Sequence, residues 1–401
     1  MMDLKKMKEK MNKMPKIGEE GHWSNMKFNE NILQDALIKH ALGLVYYQMS
    51  DVGEIFEIVS QINDKKSEWT PAWANKAEQL KEKAIQYEEN NKTVSAYNAY
   101  LRSSTYYRIA AMDISNPEDS HMIEYTQEGF NAYEKYLELS DYPGEYIEIP
   151  YEDTYLPAHF YKSPTATENA PLFIITPGRD TWAEDTRWIY DAALKRGIHC
   201  LVYDGPGQGF ALRLNNITFR PDIENVITPL IDYVLEKYDC IDKDKIMAMG
   251  MSFGGFLITR AAAYDKRIKL CINDPGNISW GTGIIPRLEL IMKIPEKMRP
   301  SQLDFMLKDY MWKHGVSEQQ LVNELKKYDN TELLDELTCK VLVLDGSSEI
   351  NKGEARKYYD LLKCPKDYIL FDEDSGSQLH TQMGGYANAS ETILNWIEEN
   401  V

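Results

Sequence analysis

Lys245-Ile-Met-Ala-Met-Gly-Met-Ser-Phe-Gly-Gly-Phe-Leu-Ile-Thr-Arg260 is the stretch on which the fold turns. Ile246, Met247 and Met249 form a short apolar strand. Gly250-Met251-Ser252-Phe253-Gly254 makes a tight corner, and Phe256-Leu257-Ile258 with Ala261-Ala262-Ala263 forms a packed helix. In a G-x-S-x-G corner between a strand and a helix, the serine occupies a strained backbone position. The flanking glycines remove the Cβ atoms that would clash there, so the hydroxyl stands out above the sheet. The first N–H groups of the following helix have no partner inside it and can stabilise a developing oxyanion. The bare three-position pattern arises by chance in about one chain in ten of this length, so the strand and helix around it carry the inference.

Working outward, strands and helices alternate on both sides of this corner. Leu172 to Ile175 reads as a strand, Trp188 to Arg196 as a helix, His199 to Tyr203 as a strand and Asp222 to Lys237 as a helix. After the corner come a strand at Leu270 to Ile272 and another at Val341 to Leu344. A helix at Glu354 to Leu362, a strand at Tyr368 to Phe371 and a helix at Ala387 to Glu399 complete the run. Such alternation predicts an α/β, doubly wound, mainly parallel sheet with helices on both faces. Tyr146 to Tyr151 and Leu156 to Tyr161 predict a β-hairpin across Glu152-Asp153 ahead of it.

Residues 1 to 143 read as an all-helical N-terminal domain, acting as cap or dimerisation surface, and 144–401 as the sheet domain. Trp73, Ala77, Leu80, Ala84 and Tyr87 share one helical face, and Tyr97, Tyr100, Ser104, Tyr107 and Ala111 share another. Those tyrosines either line a cavity or form core with their hydroxyls reaching an edge. Residues 277–337 interrupt the alternation with helical sequence containing Met292, Met298, Met306 and Met311, placed to act as a lid. Its methionines would suit a plastic apolar pocket, and packing alone would explain them equally.

The 401 residues carry a net charge of −18 and are 43% apolar and 27% charged. That balance argues against nucleic acid and anionic membranes as partners, both of which select basic faces. Met1 to Lys16 is basic but lacks the apolar core of a signal peptide, and no run approaches a membrane span, so a cytoplasmic location is expected. The five cysteines have no C-x-x-C spacing, and neither a metal site nor a disulfide framework is expected.

A serine is a weak nucleophile at neutral pH unless a base lies within reach and an acid orients that base. In this kind of sheet the order is serine, acid, histidine, each at the carboxyl end of a strand. His380, the only histidine after residue 314, lies in the loop after the last strand and is the expected base for Ser252, a surface-loop histidine being the other reading. The acid follows Val341 to Leu344: Glu349 is indicated, with Asp345 the near competitor and Asp274 a distant one. A second oxyanion donor belongs in the loop Thr176-Pro-Gly-Arg-Asp180. The N–H of Arg179 with that of Phe253 is the expected pair, and Gly178 is the alternative. Asp204-Gly-Pro-Gly-Gln-Gly209 lacks the Lys-Ser/Thr of a phosphate loop and should shape the strand exit beside the site.

Taken together, these residues resemble the α/β-hydrolase superfamily. Within it, the chain resembles the group with an N-terminal helical domain that includes 2,6-dihydroxypseudooxynicotine hydrolase, FrsA-like proteins and the fungal heptaketide-shortening hydrolases. The likeness rests on Trp69 and Trp73, Leu101-Arg-Ser-Ser-Thr-Tyr-Tyr107, Leu156-Pro-Ala-His-Phe160, Gly178-x-Asp180, Asp204-Gly-Pro-Gly-Gln-Gly209, Gly250-Met-Ser-Phe-Gly254 and the His380 loop. It implies hydrolysis of an ester or of a carbon–carbon bond beside a ketone in a small-molecule substrate. It also implies no metal or organic cofactor, and a homodimer. A lid carboxylate assists in some relatives, and Glu289, near Met292, is its candidate here. Pro177 stands where the group usually has a first glycine, and Glu349 where it usually has aspartate. Acyl transfer, cyclisation or peptide cleavage would use the same residues, and a non-catalytic FrsA-like binding protein is the alternative from another class.

Overall fold

The computed structural model describes residues 23–166 and 168–401. The basic start, Met1 to Lys16, lies outside the described residues.

Among the described residues five α-helices precede the sheet: α1 (Ile32–Leu44), α2 (Val52–Asn63), α3 (Trp69–Glu89), α4 (Thr93–Met112) and α5 (Ser120–Leu139). Three begin at a side chain that accepts from orphan backbone N–H groups: Asn31 for α1, Asp51 for α2 and Asp119 for α5. Pro71 falls in the first turn of α3, where a missing N–H is harmless. The tyrosine stripe of α4 is core. Tyr100 and Tyr107 are buried, and their hydroxyls reach Glu88 and Glu78 at the rim.

The sheet has eight strands: β1 (Gly144–Tyr151), β2 (Thr154–Tyr161), β3 (Ala170–Thr176), β4 (His199–Tyr203), β5 (Ile241–Met251), β6 (Ile268–Asp274), β7 (Lys340–Gly346) and β8 (Lys366–Phe371). Their order is β1-β2-β4-β3-β5-β6-β7-β8. The hairpin β1–β2 and the pair β2–β4 are antiparallel, and every other pairing is parallel. The central strands read as unbroken apolar runs because both faces are covered. Ile246 and Ala248 of β5 point into the core on one face, and Met247, Met249 and Met251 into the core on the other. On β7, Val341 and Val343 alternate with Leu342 and Leu344 in the same way.

Helices α6 (Arg187–Leu194), α7 (Gly209–Arg213), α8 (Glu224–Lys237), α9 (Phe253–Tyr264), α13 (Glu354–Leu361) and α14 (Tyr386–Asn400) connect or flank the strands. The N-terminal helices are tied to the sheet by buried polar contacts as well as apolar ones. Tyr133 on α5 shares hydrogen bonds of 2.7 Å with the hydroxyls of Tyr161 and Tyr190, and Arg108 on α4 pairs with Asp185 at 2.9 Å.

Between β6 and β7 lie α10 (Trp280–Met292), α11 (Ser301–His314) and α12 (Glu318–Leu325). This insertion has its own small core, built on Leu288, Ile291, Leu307, Leu321 and Leu325. Of the two readings of its methionines, the structure favours packing. Met292, Met306 and Met311 pack against that small core, and Met298 is 73% exposed. The reason is that a three-helix insertion must bury apolar side chains among its own helices, which uses the long methionines. Its inward surface presents Trp280, Ile284 and Tyr310 instead. Among the described residues no helix is long and apolar enough to cross a membrane, and all five cysteines are free thiols.

Candidate active site

β5 runs into α9 through Ser252, whose φ of 54° and ψ of −118° lie outside the ordinary regions for a side-chain-bearing residue. The glycines around it are required by close approach. A Cβ on Gly250 would stand 2.0 Å from the carbonyl oxygen of Gly254, and one on Gly254 would stand 2.4 Å from that of Thr176. The corner is held from β6, where the Ser252 N–H donates to the Asp274 carbonyl at 2.5 Å.

His380 Nε2 lies 2.9 Å from Ser252 Oγ, and His380 Nδ1 lies 2.7 and 2.9 Å from the two carboxylate oxygens of Glu349. A carboxylate can only accept, so the ring proton sits on Nδ1 and the serine hydroxyl donates to Nε2. Glu349 is only 5% exposed. Burial pushes its carboxyl up, but the attraction and hydrogen bond of His380, with the Ile350 N–H, outweigh this and hold it below the usual range. Burial likewise pushes His380 down, and Glu349 more than reverses it, leaving the imidazole a stronger base than usual.

The other two carboxylates of the sequence reading are engaged elsewhere. Asp345 accepts from the Tyr368 hydroxyl at 2.7 Å and from the Gly346 N–H at 2.8 Å. Asp274 accepts from Gln382 Nε2 at 2.9 Å, pinning the histidine loop rather than the imidazole, and its Oδ2 has no partner. Burial pushes the Asp274 carboxyl up to about 7. A carboxyl raised in this way favours folding while protonated, and that contribution is lost as pH rises from the unfolded value near 4 through 7. Asp274→Asn is therefore expected to be more thermostable than the parent at pH 8, by on the order of 4 kcal/mol, and nearly equal to it at pH 4. Thermal melts at the two pH values check this; a difference independent of pH would refute it.

The loop after β3 lies over the serine. A Cβ on Gly178 would stand 3.1 Å from Ser252 Cβ, and the Gly178 N–H donates to Thr181 Oγ1 at 3.1 Å. The Asp204–Gly209 run supports this loop from beneath. Gln208 Nε2 donates to the carbonyls of Pro177 at 2.6 Å and Gly178 at 3.1 Å, while Asp204 accepts from the N–H groups of Ala183 and Phe210. Pro177 contributes a carbonyl to this arrangement, which needs no N–H of its own.

A cluster the sequence reading missed clamps the same loop to the insertion. Arg179 Nη1 lies 2.5 Å from Asp309 and its guanidinium stacks 3.7 Å from the Tyr310 ring centre. Lys313 Nζ contacts Asp180 at 2.5 Å and Asp309 at 3.0 Å. Burial pushes Asp180 up, but Lys313 and Arg179 hold it well below the usual carboxylate range. The signal in the sequence was the i, i+4 pair Asp309 and Lys313 on one helix, which reads equally well as a solvated pair.

Ser252, His380 and Glu349 open into a cavity of about 310 Å³. The insertion contributes Trp280, Ile284, Arg287 and Tyr310 to its walls, and α1 contributes Leu33, Ala36, Leu37 and His40. Glu289 and Met292 do not line it: Glu289 is exposed, and Met292 packs within the insertion. The face of α10 that looks inward carries residues 280, 284 and 287 at helical spacing, which turns 289 outward. Among the described residues no group of three or more His, Cys, Asp and Glu side chains could hold a metal ion.

Comparison with known proteins agrees with this architecture. The chain is 30% identical over 335 residues to the hydrolyase poxO of Penicillium oxalicum, spanning 74% of this chain and 78% of that one. It is 32% identical over 250 residues to the 20-hydroxy-prefusarin hydrolase FUS2 of Gibberella moniliformis, spanning 59% and 58% of the two chains. Among solved structures, 2,6-dihydroxy-pseudo-oxynicotine hydrolase superposes with a TM-score of 0.73 at 17% identity, over 89% of this chain and 95% of that one, a likeness of fold. Residues 53–343 match the FrsA-like esterase family. With nearly three-quarters of its length matched, this chain is an α/β-hydrolase belonging to the FrsA-like esterase family.

Proposed function

We propose that this protein is a serine-dependent hydrolase that cleaves an ester, or a carbon–carbon bond beside a ketone, in a small and largely apolar substrate. Its main support is the unbroken hydrogen-bonded series from Ser252 through His380 to Glu349, opening into a mostly apolar cavity. Relatives named as hydrolyase and as 20-hydroxy-prefusarin hydrolase point to the same class of chemistry.

In this mechanism Ser252 Oγ attacks the substrate carbonyl carbon while its proton passes to His380 Nε2. The N–H groups of Phe253 and Arg179 hold the oxyanion; Gly178, the alternative donor, already gives its N–H to Thr181. Collapse of the tetrahedral intermediate breaks the bond to an alkoxide or to the enolate of a departing ketone, and that group takes the proton from His380. Water, deprotonated by the same imidazole, then releases the acid and restores the serine. Glu349 stays ionised throughout and stabilises the imidazolium. The N-terminal helices act as a cap that supplies one cavity wall.

The test is labelling with a fluorophosphonate probe together with a screen against aryl esters and β-diketones. Labelling and turnover that both vanish in Ser252→Ala are expected. A wild-type protein that neither labels nor turns over any of them defeats the hydrolase assignment in favour of a non-catalytic binding protein.

A further inference from the structure

His40 sits on the cavity-facing stripe of α1, one helical turn beyond Ala36 and Leu37 and two beyond Leu33. It is 4% exposed, and its Nδ1 lies 2.6 Å from the Tyr386 hydroxyl. Its other ring nitrogen, Nε2, is buried and has no hydrogen-bond partner. Both side chains line the cavity, whose wall also carries the apolar Leu33, Ala36, Leu37, Trp188 and Met383 and the charged Asp185. Asp185 acts on both rings, but its oxygens accept from Arg108 and the Trp182 N–H. Tyr386 is itself held rigidly: its ring stacks on Trp188 at 4.8 Å, and it packs so closely on α1 that a Cβ on Gly43 would stand 2.7 Å from it.

Burial pushes the His40 imidazole down, with Arg108 adding to the effect and Asp185 opposing it, so the ring is neutral. A neutral imidazole and a phenol together carry two donor protons, and their mutual hydrogen bond uses one. If Tyr386 donates to Nδ1, the remaining proton is on Nε2. If Nδ1 donates to Tyr386, the remaining proton is on the phenol. In either tautomer the pair has one donor proton left over in a mostly apolar wall, and leaving it unmatched is costly.

We propose that His40, oriented by Tyr386, is a specificity-determining residue that donates, directly or through the phenol, to an acceptor oxygen of the substrate other than the carbonyl attacked by Ser252. The preferred substrate class is then an apolar molecule with a second oxygen function, such as a ketone or ether, in the part that lies against α1. This rests on the hydrolase assignment above and deepens it: the N-terminal helices read the substrate as well as cover it.

The test compares kcat/KM for matched 4-nitrophenyl esters with and without a keto or ether oxygen at successive positions of the acyl chain, and for matched esters varied likewise in the alcohol part. Wild type is expected to prefer an oxygen-bearing member of at least one pair by about tenfold. His40→Ala and His40→Phe should bring that preference to within about twofold of unity, mostly through KM, by lowering kcat/KM for the oxygen-bearing member well beyond any change for its all-carbon partner. His40→Gln, which restores a donor, should recover part of it. A purely structural role would lower activity on both members equally. Fluorophosphonate labelling of every variant separates the failures. An unlabelled wild type defeats the serine assignment, whereas intact labelling with a selectivity that is absent, or unchanged by the His40 variants, overturns the role given to His40.

Discussion

Ser252→Ala is expected to reduce kcat by on the order of 10⁴ to 10⁶, the range found when a nucleophile that acts with a base and an acid is removed. The size follows from the chemistry. Without the hydroxyl no acyl-enzyme can form, and the oxyanion donors with substrate binding retain only a residual acceleration over water. The folded state should survive, because alanine at Ser252 removes one oxygen and keeps the Cβ that the 54° φ already accommodates. Active-site titration of purified protein, with circular dichroism as the fold control, checks both parts. A variant that keeps more than a few per cent of the parent's turnover would show that another group is the nucleophile.

Glu349→Gln should cost on the order of 10³ to 10⁴ in kcat, although it changes the shape of the side chain very little. An amide can offer its own N–H to Nδ1, which stabilises the tautomer with the proton on Nε2, where it cannot accept from serine. It also removes the negative charge that raises His380. The activity limb governed by the neutral imidazole, which in the parent is shifted upward from the ordinary histidine value, should therefore move to lower pH in the variant. Asp345→Asn is the matched control. Its oxygens serve Tyr368 and the Gly346 N–H, and it should leave kcat within about threefold and the pH profile in place. If Asp345→Asn proved the more damaging of the two, the acid would have to be reassigned.

What could be read from the sequence was local in its physics. Doubly buried strands show as unbroken apolar runs, and the G-x-S-x-G corner needs small neighbours wherever a strand turns sharply into a helix. The strand ends also placed Ser252, Glu349 and His380 in the required order along the chain. Between Glu349 and Asp345 the sequence could only rank, since both follow the apolar run Val341 to Leu344. The geometry separates them because Tyr368, on the neighbouring strand β8, takes up Asp345 and leaves Glu349 to the imidazole.

The walls of the cavity were not legible in the same way. Periodicity can show that a helix has an apolar stripe, but not what the stripe faces. Glu289, which only the resemblance singles out, and Met292 fall outside the cavity, and Arg287, Tyr310 and His40 on its wall have no local signature. The clamp of Arg179 and Lys313 on Asp180 and Asp309 joins residues more than a hundred positions apart, and no local pattern encodes such a pairing. By itself, then, the sequence determined the sheet, the serine corner and the residues from which a catalytic set could be drawn. Tertiary structure alone decided which carboxylate reaches the histidine and which side chains line the cavity, because those depend on the relative placement of whole elements rather than on the conformation of any one of them.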